Sequence, residues 1–84
     1  MNRVAEDFVE HEGKHFRVST INRESSSMYG GRYAETFVFE WFPEREGKKQ
    51  GAFVAQDAAS EDSRAGHDRM CDAFKKFGKV PEND

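Results

Sequence analysis

Tyr33-Ala34-Glu35-Thr36-Phe37-Val38-Phe39-Glu40-Trp41-Phe42 places five aromatic side chains in ten residues and runs directly into Pro43. Side chains alternate between the two faces of an extended strand. Read that way, one face receives Tyr33, Phe37, Phe39 and Trp41, together with Glu35. The other receives Ala34, Thr36, Val38 and Phe42. A strand that is apolar on both faces requires cover on both faces. The rest of the chain offers one substantial helix, enough for one side. The second side is therefore expected to be a binding surface, for another copy or for a partner.

Outward from this strand, Pro43-Glu44-Arg45-Glu46-Gly47-Lys48-Lys49 has turn chemistry, and Gln50-Gly51-Ala52-Phe53-Val54-Ala55-Gln56 reads as the returning strand. Its small residues leave room for bulky neighbours. On the other side, residues 22–31, with three serines and Gly30-Gly31, read as a long flexible loop whose unusual members are Met28 and Tyr29. Further back, residues 8–21 read as a hairpin turning near Gly13, with Phe16, Val18 and Thr20 on one face. Residues 4–11 fit a strand or one turn of amphipathic helix equally well.

The long C-terminal element reads as a helix over residues 60–77. Ser60 has N-cap chemistry, Glu61 and Asp62 suit the first turn, and Gly78 and Pro81 supply the stop. His67, Met70, Cys71, Phe74 and Phe77 fall on one apolar stripe. Residues 81–84 read as a frayed tail.

At 84 residues the chain fits a single small domain, 1–84, with a limited core. Sixteen acidic and 13 basic residues are well mixed and leave a formal charge of −3, which excludes the basic signature of a duplex-DNA binder. Cys71 is the single cysteine, so no intramolecular disulfide can form. No apolar run has the length of a membrane span, and the first seven residues lack the apolar segment of a secretory leader. A cytoplasmic location is the expectation.

Few residue groups suggest chemistry. His67 and Cys71 are spaced i, i+4, and with His11 and His15 they could surround a zinc ion. A buried imidazole beside a buried thiol explains the same pair more simply. Cys71 with His67 also has the residue types of a thiolate–imidazolium couple, but nothing implies an oxyanion site or a third orienting residue. Glu35 and Glu40 lie on opposite strand faces and cannot share a substrate atom; Arg17 and Arg32 are the expected partners of Glu35. Gly30-Gly31-Arg32 lacks phosphate-loop spacing. No catalytic residue, cofactor or metal is expected. An aromatic sheet face ringed by Arg17, Arg32, Lys48 and Lys49 is also the form of a single-stranded nucleic-acid platform.

Residues 11–21 (His-Glu-Gly-Lys-His-Phe-Arg-Val-Ser-Thr-Ile), residues 33–41 and Ala65-Gly66-His67-Asp68-Arg69-Met70 resemble a group of small uncharacterised proteins encoded by bacteriophages, prophages and other mobile elements. The resemblance spans most of the chain without any catalytic motif. It implies a protein that binds and blocks a host-defence component, of CRISPR or restriction type, and it assigns no functional residue.

The expected fold is therefore α+β: an antiparallel meander of three or four strands with the C-terminal helix across one face. The expected function is non-enzymatic protein binding, with Met28, Tyr29, Arg32, Tyr33 and Trp41 as contact residues and a homodimer as the simplest assembly. Single-stranded nucleic-acid binding, or a homodimeric accessory role, is the alternative.

Overall fold

The computed structural model describes residues 2–24, 32–59 and 63–81. Strands β1 (Asn2–His11), β2 (Lys14–Glu24), β3 (Arg32–Trp41) and β4 (Gln50–Ala59) form an antiparallel sheet in the order β1-β2-β3-β4. Helix α1 (Ser63–Phe77) packs against one face. The fold is the expected α+β meander with four strands. Among the described residues, no helix is long and apolar enough to cross a membrane.

β1 and β2 join through Glu12 and Gly13, whose φ values of 50° and 82° are both positive. That is the two-residue hairpin turn whose twist matches the flanking strands. The turn settles the open reading of residues 4–11. Once His11 pairs with Lys14, the register carries β1 back to Asn2, with an irregularity at Val4. β2 likewise runs to Glu24, into the stretch read as loop, because Asn22 to Glu24 pair with Ala34 to Arg32. Backbone pairing on the second edge overrides the weak strand preference of these residues. Met28 and Tyr29 lie outside the described residues, as do Ser60, Glu61 and Asp62 of the expected helix start and the tail from 82 to 84.

Strand parity divides the side chains as the aromatic stretch requires. Phe16, Val18 and Val38 face the helix and form the core with Met70 and Phe74, with Val9, Ala55 and Cys71 packed around them. The Phe16 and Phe74 rings are 4.9 Å apart in a tilted arrangement. The sequence stripe needs one correction. Ala73 is buried, whereas Phe77 is 64% exposed. Phe77 is the last helical residue and lies past the Phe16–Phe74 layer. There the chain leaves the helix at Gly78 (φ 69°), and Gly78 N donates to Phe74 O at 3.0 Å. A Cβ on Gly78 would come within 2.7 Å of the His11 ring, so the helix end rests on the β1–β2 hairpin. Gly51 serves close packing instead: a Cβ there would collide with the Phe42 ring.

Helix α1 lies mainly over β1 and β2 and scarcely reaches β4. The thinnest extent of the molecule, 17 Å, corresponds to one sheet and one helix layer.

Candidate functional site

Two constellations stand out, one on each face of the sheet. On the face away from the helix, β3 contributes Phe37, Phe39 and Trp41. The β1–β2 register brings Phe8 to the same face opposite Arg17, and the β3–β4 register brings Phe53 opposite Phe39. Phe8 and Trp41 touch at a ring separation of 4.8 Å, Phe39 and Phe53 at 6.0 Å, and Phe37 and Phe39 at 6.4 Å. The aromatic rings thus shield one another, and Phe37, Phe39 and Trp41 are half-buried with no second layer over them among the described residues. Phe8 and Phe53 remain more than half exposed, at 51% and 55%. β4 reaches this face through two register shifts beside Phe39, which suits an edge strand.

Arg17 on this face is matched by neighbours within the sheet. Arg17 donates from Nε and Nη2 to Glu6 Oε2 at 2.7 and 2.6 Å, and from Nη1 to Gln50 Oε1 at 2.8 Å. Its guanidinium lies 6.0 Å from the Phe39 ring centre. Arg17 is therefore committed to Glu6 rather than to Glu35. Glu35 is itself buried and sits opposite Ile21 and Ala58 in the register. Lys49 donates to the Pro43 carbonyl at 2.7 Å. Of the expected contact residues, Trp41 is on this face. Arg32 and Tyr33 open β3 opposite Glu24 and Arg23, but their side chains, like all of Met28 and Tyr29, lie outside the described residues. Phe8 and Phe53 are the exposed members of this face that the sequence reading missed. Their hydrophobicity was visible, but their face depended on the hairpin register and on the β4 irregularities.

Under the helix lies a polar cluster in an otherwise apolar layer. His67 is fully buried on α1. Its Nδ1 is 2.7 Å from Thr20 Oγ1, and Thr20 Oγ1 is 2.6 Å from Thr36 Oγ1. Its Nε2 is 2.8 Å from Asp7 Oδ2, and Cys71 Sγ lies 3.5 Å from the same nitrogen. In the tautomer with hydrogen on Nε2, the ring donates to Asp7. Thr20 then donates to Nδ1 and accepts from Thr36, which leaves the chain of donors consistent. Buried polar groups must be paired in this way or cost several kcal/mol. Burial, with Asp7 and then Asp68 nearby, pushes the Cys71 thiol up from 9.0 to about 11. At neutral pH the group is a protonated thiol, not an activated nucleophile.

The i, i+4 pairing of His67 and Cys71 is thus as expected, but their companions are not. His11 accompanies the helix end, where its Nδ1 lies 3.2 Å from the Lys75 carbonyl, and His15 pairs opposite Trp41 on the far face. The third member is Asp7, which could be found only after β1 was known to be a strand. Comparison of the chain with protein-family models, with curated proteins and with solved structures returns no match.

Proposed function

We propose that this chain is a non-enzymatic binding protein that engages another protein through the aromatic face of its sheet. The observation that carries the reading is two aromatic clusters on one sheet face, Phe8–Trp41 and Phe37–Phe39–Phe53, which the helix leaves uncovered and in which Phe8 and Phe53 are each more than half exposed. Exposed apolar patches of this kind mark interaction sites on small proteins. A four-stranded face of ten-residue strands offers roughly 600 Å² per molecule from strand spacing and rise. Two such faces bury about 1,200 Å², the lower end of specific protein interfaces.

In the free protein the occupant is a second copy in a two-fold dimer. The Glu6–Arg17 pair is matched within one molecule, so these two charges and the aromatic rings can meet their copies across a two-fold axis. In the cell the same face would meet a host-defence component, occluded rather than chemically altered; the resemblance to mobile-element proteins suggests that class of partner but assigns no residue to it. The protonated Cys71 and the fully engaged His67 agree with a non-catalytic role. A nucleic-acid platform is less well supported, because the guanidinium best placed to meet phosphate is held by Glu6.

Light scattering at micromolar concentration tests the reading. Wild type is expected to dimerise, and Phe53→Glu and Trp41→Ala to be monomeric with unchanged secondary structure. A wild-type monomer whose Trp41 emission is that of a fully enclosed indole would overturn it, since the face would then be closed internally. An absorbance ratio at 260 to 280 nm well above that of protein alone would favour nucleic acid instead.

A further inference from the structure

We propose that Asp7, His67 and Cys71 form a binding site for a zinc-type divalent cation on the helix side of the sheet. The site is independent of the aromatic face and of the function proposed for it. One ligand atom from each residue lies within 4.8 Å of the other two. The set combines carboxylate, imidazole and thiol, the three donor types that zinc accepts.

Two of the three spacings are close to what the ion requires, and the third, between Asp7 and Cys71, lies within 4.8 Å. With metal–ligand distances of about 2.0–2.3 Å and tetrahedral angles, nitrogen and sulfur donors stand roughly 3.5 Å apart, and nitrogen and oxygen roughly 3.3 Å. The His67 Nε2 to Cys71 Sγ distance is already 3.5 Å. The Nε2 to Asp7 Oδ2 distance is 2.8 Å, a direct hydrogen bond, and must open by about 0.5 Å on the same geometry. Asp7 can supply that movement, because its side chain is 52% exposed and belongs to the edge strand β1. The same exposure leaves a fourth position open to water.

The surroundings permit the ligand state of the imidazole. Metal binding at Nε2 requires the hydrogen on Nδ1, and Nδ1 faces Thr20 Oγ1 at 2.7 Å. Thr20 can accept that hydrogen and donate its own to Thr36 at 2.6 Å, which leaves the Thr36 hydroxyl hydrogen, donated to Thr20 in the other tautomer, to turn away. Such outer partners fix the tautomer and the ring orientation of metal-binding histidines. Asp7 and Asp68 also place negative charge beside the thiol, which is the field a cation neutralises; Arg64 opposes it in part. The sequence reading offers His11 and His15 as companions of the two helical donors and expects no metal; Asp7 is not among its candidates.

Cobalt(II) titration of the untagged, chelator-treated protein tests the assignment. Cys71 is the single cysteine, so a thiolate-to-cobalt charge-transfer band reports this site and no adventitious histidine site. The expected result is a band that saturates at one equivalent and is displaced by zinc. Asp7→Asn, which keeps an oxygen acceptor for His67 Nε2 but removes the carboxylate charge, is expected to weaken binding by about tenfold or more. No band at equimolar cobalt, or an affinity that Asp7→Asn leaves unchanged, would overturn the proposal.

Discussion

Phe74 and Phe77 are the same residue type on the same helix, one turn apart, and the structure assigns them opposite consequences. Phe74 is fully buried against Phe16, whereas Phe77 is 64% exposed. Truncating a buried Phe to Ala costs about 3–5 kcal/mol through lost transfer energy and the cavity left behind. A domain of this size has a total stability on the order of 4–13 kcal/mol. Phe74→Ala therefore removes a large part of it. At about 4–8 °C per kcal/mol, the melting temperature should fall by on the order of 12–40 °C. For Phe77, burial of about a third of a side chain worth roughly 2–3 kcal/mol accounts for under ~1 kcal/mol. The better helix propensity of Ala returns about half of that. Phe77→Ala is expected to stay within about 0.5 kcal/mol of wild type on this accounting. Urea denaturation and thermal melts followed by far-ultraviolet circular dichroism measure both. Equal losses for the two variants, or a Phe74→Ala melt within a few degrees of wild type, would show that the helix docks in a different rotation.

Thr20→Val keeps the shape of the side chain but removes the hydroxyl between Thr36 and His67, so denaturant unfolding should show a loss of about 1–3 kcal/mol. A neutral result would mean that the buried polar chain is not as described. The Cys71 thiol, raised from 9.0 to about 11, holds its proton in the folded state where the unfolded chain ionises. Its contribution to stability is accordingly full below pH 9 and is lost as pH rises toward 11, by proton linkage. Denaturation of wild type against Cys71→Ala across that window should show the difference narrowing. At pH 8 the native thiolate fraction is on the order of a hundredfold below that of the unfolded chain, so native alkylation should be correspondingly slow. Rapid native alkylation would contradict the burial of the thiol.

Much of this architecture was legible in the chain, for identifiable reasons. The two-residue alternation from Tyr33 to Phe42 determined β3 and divided its faces, because extended backbone permits no other arrangement of neighbouring side chains. The stop at Gly78 and the spacing of His67, Met70 and Phe74 determined the helix and its docking face. Thr20 and Thr36 could be placed on the core side by parity. Their bond to His67 could not, because it depends on how the helix crosses the sheet.

Pairing decided the rest. β1 is ambiguous in isolation and became a strand because the Glu12-Gly13 turn delivers it to β2 in register. That same register placed Asp7 under the helix and Phe8 on the far face. It thereby completed both the polar cluster and the aromatic surface from residues sixty and thirty-three positions away from His67 and Trp41. Local sequence specifies which groups can alternate or cap. Which distant groups meet is set by strand register and helix position, and these are properties of the whole packed chain.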